Sequence, residues 1–288
     1  MDTIRNPIEW GWAQVRNLAV TVDSAGRRRA NAHDEDFVPA PTVRHVELSE
    51  LKDIFARAIG DLGAYRTDVV FLVVIYPFIG LILSRLTFGY DMLPLLFPLA
   101  SGFALVGPVA AVGLYELSRR REQGAAVTWK DAFGVFHSPS LGEIVLLSML
   151  LLALFLIWIG AAYSLYAFTL GPQPPVSLES FASDLFNTTE GWILIGAGIG
   201  IGFLFALAAM MVSVVAFPLL LDKRVTLRDA IGTSVRAVLA NPAVMTVWGL
   251  IVAGGLVIGT LPFFIGLVVV VPILGHATWH LYRKLVVC

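Results

Sequence analysis

Long apolar runs alternate along the chain with short polar intervals rich in arginine, lysine and acidic residues. A helix needs about 20 apolar residues to cross about 30 Å of hydrocarbon. Six runs meet this requirement. We predict spans at Val69–Leu86, Leu93–Leu117, Ile144–Thr169, Trp192–Leu221, Ala243–Thr260 and Phe263–Leu281. The pattern predicts an all-α polytopic membrane protein with six transmembrane helices arranged as three hairpins.

A short phrase recurs before each predicted hairpin. Its three copies are LKDIF at Leu51–Phe55, WKDAF at Trp129–Phe133 and LRDAI at Leu227–Ile231. In the first and third copies, apolar residues at helical spacing predict an amphipathic helix lying in the membrane interface. Thr128 with Asp131, and Thr226 with Asp229, have the spacing of a capping box that starts a helix.

The second span of each hairpin also carries one internal proline, namely Pro108, Pro218 and Pro272. Phrase and proline recur in the same order, which predicts three parallel repeats related by an axis along the membrane normal. We assign these repeats to residues 50–118, 128–221 and 226–286. Residues 46–288 then form one membrane domain, and residues 1–45 form a polar, largely disordered cytosolic tail.

Composition supports a membrane location, since 57% of the residues are hydrophobic, 14% are charged and the mean hydropathy is +0.80. The 20 lysines and arginines are strongly segregated, and only Arg85 falls on the opposite side of the predicted membrane. Cytoplasmic loops carry the excess of basic residues in membrane proteins. This bias predicts that both termini are cytoplasmic.

Two histidines are the sharpest candidates for chemistry. His276 and His280 lie four residues apart, so they share a helix face and could bind one metal or a haem-associated group. Glu116, at the equivalent of His280 in the first repeat, could add a carboxylate. The structural alternative is that His276 bonds a carbonyl freed by Pro272, while the other two lie at polar span ends.

The prolines suggest a second kind of site. Kinks at Pro108, Pro218 and Pro272 could line a cavity, with Tyr115, Trp279 and Glu116 near its cytoplasmic end, or could simply be packed against neighbouring helices. Six glycines at small-residue spacing predict close helix packing within the bundle or in a homo-oligomer. They are Gly196, Gly198, Gly200, Gly202, Gly255 and Gly259.

Several functions find no support in the sequence. No charged residue lies in the middle of a predicted span, and no phosphate-binding loop, nucleophile elbow or metalloprotease motif is present. The basic residues lie where topology already requires them. We therefore expect no enzyme, no catalytic residues, no bound cofactor and no nucleic-acid binding.

Three separated stretches carry a resemblance to a known family: Gly107–Glu116, Ser234–Pro242 and Gly275–Arg283. They resemble bacterial predicted integral membrane proteins of unknown function, the domain of unknown function twenty-one eighty-nine. The resemblance implies a bacterial inner-membrane location, and it brings no assigned activity and no site residues.

These observations favour a non-catalytic scaffold, accessory or assembly factor that meets the lipid bilayer and binds a protein partner through its cytosolic tail. One alternative is a small-solute or lipid transporter built around the proline-kinked helices. A further alternative is a metal- or haem-handling membrane protein that uses His276 and His280.

Overall fold

The computed structural model describes residues 41–64, 93–262 and 265–287, and these residues are nearly all α-helical. The predicted first span, Val69–Leu86, and residues 1–40 of the predicted tail lie outside the described residues. In chain order, the described elements are β1 (Thr42–Val43), α1 (Glu50–Ala64), a 3₁₀ turn (Leu93–Leu95), α2 (Leu96–Ala110), α3 (Val112–Glu122), a 3₁₀ helix (Trp129–His137), α4 (Leu141–Thr169), α5 (Leu178–Asn187), α6 (Thr189–Ser213), α7 (Ala216–Asp222), α8 (Leu227–Ala240), α9 (Pro242–Thr260), α10 (Leu267–Leu285) and β2 (Val286–Val287).

Three helical segments of the described residues are long and apolar enough to cross a membrane: α4, the continuous stretch Thr189–Asp222, and α9. They confirm an integral membrane protein with several apolar helices. The predicted second span is instead divided at Ala111, and α2 alone, with 15 residues, is about 22 Å long. In α10 only the first half is apolar, and its second half ends in Arg283 and Lys284. The six-span count therefore stays a prediction.

Local sequence signals explain where several helices begin and end. The Thr128–Asp131 capping box is present, although it opens a 3₁₀ helix. The Thr226 hydroxyl oxygen accepts a hydrogen bond from the Asp229 N–H at the start of α8. α4 ends just before Gly171, whose φ of 94° is accessible to glycine at little cost.

Every lysine and arginine that the structure describes lies at one end of the helix bundle, which we call the basic end. It is built from β1, β2, α1, the 3₁₀ helix, α3, α7, α8 and the second half of α10. The opposite end contains α5 and the flanking loops, with the acidic residues Glu179, Asp184 and Glu190.

The best-packed part of the protein is the basic end. Every residue of α7 from Ala216 to Leu221 is buried, and α7 contacts both α3 and α10, which also contact each other. The outer surfaces of α4, α6 and α9 expose large apolar side chains such as Ile157, Phe203 and Leu250, each more than half accessible. Such surfaces need hydrocarbon around them.

One packing relationship occurs three times at the basic end. Helix α1 packs on α10, the 3₁₀ helix packs on α3, and α8 packs on α6 and α7. Each short surface element therefore lies on the second helix of a different predicted hairpin, in the cyclic order first on third, second on first and third on second. The three-fold repeat itself stays a prediction.

The two ends of the described chain are tied together. β1 pairs antiparallel with β2, with Thr42 opposite Val287, so ordered structure begins a few residues before the predicted tail boundary at residue 45. Asn241, between α8 and α9, accepts a hydrogen bond from the Val46 N–H at 2.8 Å and donates to the Arg44 carbonyl at 3.1 Å. These contacts fix α1 against α8 and α10.

Candidate functional site

A cavity of about 560 Å³ lies between α2, α3, α6, α9 and α10. Its described lining is almost entirely apolar and includes Pro108, Phe155, Ala206, Met210, Ala253 and Val271. Two of the few polar groups, the hydroxyls of Ser213 and Thr278, donate to carbonyls of their own helices. The wall therefore suits an apolar molecule better than a polar solute.

Proline-associated breaks lie on two sides of this cavity. Pro108 is in the last turn of α2 and lines the cavity, as does Ala111, where α2 gives way to α3. Helix α6 ends at Ser213, and the Val215 N–H donates to the Ser234 hydroxyl oxygen of α8 at 3.2 Å. Because Pro218 has no N–H, it cannot bond the carbonyl of Val214, which also lines the cavity.

The predicted cavity residues divide between the lining and its surroundings. Tyr115 lines the cavity together with Pro108, and Gly275 does so one turn after Pro272. Pro218 is buried within α7 away from the lining. Trp279 is also buried elsewhere, with its indole N–H donating to Glu122 at 3.1 Å.

A buried polar cluster joins α1, α3 and α10 at the basic end. Asp61 Oδ2 lies 2.7 Å from Ser118 Oγ and 2.9 Å from His280 Nε2, and Oδ1 lies 2.8 Å from Arg121 Nη1. His276 Nδ1 lies 2.7 Å from the same Ser118 oxygen. We call these five residues the Asp61 cluster.

Hydrogen-bond accounting assigns protons within the Asp61 cluster. Ser118 has one hydroxyl proton and donates it to Asp61, so His276 Nδ1 must donate to the Ser118 oxygen. The Asp61 carboxylate only accepts, so His280 Nε2 carries a proton as well. Any metal on these histidines would have to use their other ring nitrogens.

The electrostatics of the cluster favour an ionised Asp61. Burial raises the pKa of the Asp61 carboxyl, but hydrogen bonds with His280 and Ser118 and the nearby histidines outweigh burial and hold the pKa below its ordinary value of 3.8. Together with the Arg121 ion pair, this makes the cluster a charged connection between α1 and the two helices beneath it.

Glu116 has a different role from the predicted one. It is almost fully buried and bonds Arg119 and Arg120 on its own helix. Arg120 also pairs with Asp131 of the 3₁₀ helix, so this group connects α3 to that element. The carboxylate that actually meets the two histidines is Asp61, which sequence analysis missed.

A signal for Asp61 was present in the sequence. Leu51, Ile54 and Ala58 are buried on one face of α1, and Asp61 continues that face at helical spacing. Ile59, which we had assigned to the buried face, is 57% exposed. A carboxylate on the buried face needs a partner, whereas the exposed isoleucine needs none.

The metal hypothesis gains no additional ligand from the structure. Within the described ranges, no group of three or more histidine, cysteine, aspartate or glutamate residues could hold a metal ion. Both histidines do lie together on the Asp61 cluster, as their spacing predicted. Metal binding by His276 and His280 stays a prediction.

The predicted packing glycines differ in their surroundings. A Cβ on Gly202 would come 3.2 Å from Trp158, one on Gly255 3.2 Å from Val270, and one on Gly259 2.6 Å from Leu267. A Cβ on Gly198 would make an ordinary contact at 3.8 Å, and on Gly196 or Gly200 it would meet nothing within 4 Å in the described structure. Close approach is therefore concentrated between α4 and α6 and between α9 and α10.

The apolar helices and their exposed faces define an integral membrane protein of nearly all-α class. A family model described as "Predicted integral membrane protein (DUF2189)" matches residues 96–222, so the segment from α2 through α7 belongs to this family. The match confirms the resemblance noted in the sequence. The stretches Ser234–Pro242 and Gly275–Arg283, which also carried it, lie beyond the matched residues. Neither the search of curated proteins nor the search of solved structures gives a match.

Proposed function

We propose that this protein binds a lipid-class molecule through an acyl chain and takes part in its handling or transport within the membrane. The observation that carries the proposal is the apolar cavity of about 560 Å³ beside the helix breaks near Pro108 and Val214. Ligand pockets of about 300–1,000 Å³ with apolar walls are typical of small-molecule sites. An acyl chain fits such a wall because it leaves no polar group without a partner.

The test fills the cavity and counts bound lipid. Ala206 and Ala253 line the cavity and have accessible side chains, so Ala206→Phe and Ala253→Phe would occupy it. Ala153→Phe is the matched control, because Ala153 is exposed on α4 outside the lining. Native mass spectrometry from nanodiscs of a neutral phospholipid should show one retained lipid in the wild type and control, and at least several-fold less in the cavity variants. Equal retention in all four proteins would refute the proposal.

A second candidate function is the non-catalytic scaffold, accessory or assembly factor expected from the sequence. The supporting observation is the packed, ion-paired basic end, to which residues 1–40 connect through β1. Cross-linking of native membranes should capture a defined protein partner that is lost on deletion of residues 1–40. Identical capture by the full and shortened chains would count against this function.

We also propose that the basic end faces the cytoplasm of a bacterial inner membrane. Its support is the position of all described lysines and arginines at that end. Cys288 is the one cysteine of the sequence, so a membrane-impermeant maleimide reports on a single site. Labelling should occur in inverted vesicles and not in intact spheroplasts. The reverse pattern would overturn this orientation.

A further inference from the structure

Most basic residues at the basic end are neutralised within the protein. Arg119 and Arg120 pair with Glu116, and Arg121 pairs with Asp61. At the C-terminal end of α10, Arg283 pairs with Glu122 and Lys284 with Glu50. These cations are satisfied by fixed carboxylates, so they contribute little attraction for an external anion.

Three arginines around α8 differ from the rest. Arg224, Arg228 and Arg236 are exposed, and none forms an ion pair with a carboxylate of the described residues. Arg236 donates only to the Thr233 hydroxyl oxygen, at 3.0 Å. Their charge is therefore directed to whatever lies outside the protein.

These arginines share a surface with an apolar side chain. Arg228, Gly232 and Arg236 follow one another at four-residue spacing along α8, and Leu239, 66% exposed, lies further along the same face. A Cβ on Gly232 would meet nothing within 4 Å, so the surface between the two arginines is open. Arg224 precedes the helix cap at Thr226.

The neighbouring chain sets the depth of this surface. After Asn241, α9 begins at Pro242 as a candidate span, so Leu239 lies where the chain enters the hydrocarbon. The arginines lie further from α9, toward the depth of lipid headgroups. Guanidinium groups bind phosphate oxygens through paired N–H donors, and basic amphipathic helices favour anionic lipid surfaces.

We propose that Arg224, Arg228 and Arg236, together with Leu239, form a binding surface for the phosphate-bearing headgroup of an anionic phospholipid. The surface is separate from the apolar cavity and does not depend on a lipid being bound there. Its selectivity is for headgroup charge, whereas the cavity selects for an apolar chain.

The experiment uses the full chain purified in detergent and a mixture of phosphatidylglycerol and phosphatidylcholine, with bound lipids resolved by native mass spectrometry. The variant R224Q/R228Q/R236Q should lose phosphatidylglycerol adducts at least five-fold, by order of magnitude, and leave phosphatidylcholine adducts unchanged. The matched control K52Q/R57Q/K130Q removes three charges from exposed positions on α1 and the 3₁₀ helix. It should retain the adducts.

Further arms make each outcome decisive. The conservative variant R224K/R228K/R236K keeps the charge and should lose only part of the binding, since lysine lacks the paired donors. Excess inorganic phosphate should not displace the lipid, and displacement would assign the surface to free phosphate instead. Equal losses in the glutamine variant and the control would show a general charge effect and overturn the proposal. Thermal unfolding of each variant verifies folding, and Ala206→Phe should leave these adducts unchanged.

Discussion

His280 Nε2 lies 2.9 Å from Asp61 Oδ2, and this contact joins the first helix of the described chain to the last. The same carboxylate bonds Ser118 and Arg121, so three helices meet at one buried negative charge. The contact accounts for both histidines without an additional ligand. It also turns a site predicted for metal chemistry into an element of the fold that can be tested by substitution.

We expect Asp61→Asn to destabilise the protein by about 3 kcal/mol, because it leaves Arg121 without its buried carboxylate partner. Asp53→Asn on the exposed side of α1 is the control and should cost less than about 1 kcal/mol. Thermal unfolding in detergent measures both. Similar losses in the two variants would contradict a special role for the Asp61 cluster.

The same carboxylate predicts an acid-dependent stability. The folded-state pKa of Asp61 is lowered, so its contribution is fully present above the ordinary value of 3.8 and is lost as the pH falls through the lower folded pKa. The charged or titratable groups facing it are Arg121, His276 and His280. The wild type should lose more stability than Asp61→Asn as the pH falls below about 4. Parallel stability curves would contradict the assignment.

Hydropathy located the apolar helices well because a span is defined by length and composition within one segment. The start of α9 differs from the predicted span by one residue and that of α4 by three. The partner of Glu116 was wrong for a different reason. Which helices come together at the basic end depends on packing between segments distant in sequence, and no local pattern records it. Asp61 was missed because its helix was judged from its apolar residues alone.

Gly275 gives a sharp test of the packing between α10 and α3. A Cβ there would come 2.6 Å from Leu114 Cδ1 and 3.1 Å from Leu114 Cβ. Gly275→Val should therefore destabilise the protein by about 1–3 kcal/mol through overpacking. Gly196→Ala, where a Cβ meets nothing within 4 Å, should not destabilise it. The comparison is made by thermal unfolding, and a stable Gly275→Val protein would rule out this close approach.

Asn241 should be intolerant of substitution because one side chain serves three backbone groups. It bonds the Val46 N–H, the Arg44 carbonyl and the Ala237 carbonyl. Asn241→Ala leaves buried groups unsatisfied and should cost about 2 kcal/mol. Limited proteolysis should then cut near β1 faster than in the wild type. Exposed Asn187→Ala is the control, and equal cleavage rates would contradict the role.

Removing the Glu116 charge should loosen the 3₁₀ helix. Glu116→Gln leaves Arg119 and Arg120 without their shared buried anion, which costs about 3 kcal/mol when a buried pair is broken. Hydrogen exchange should increase at Trp129–His137, since Arg120 holds Asp131 in place. Glu179→Gln on exposed α5 is the control. Unchanged exchange at the 3₁₀ helix would contradict this coupling.

The contact of α1 with α10 has a consequence for biosynthesis. A helix made near the beginning of the chain obtains its packing partner only when one of the last segments has left the ribosome. Until then its buried face, including Ile54 and Ala58, must wait at the bilayer surface or with a chaperone. The order of synthesis therefore leaves the circle of helices open to the end, and translation of β2 closes it through β1.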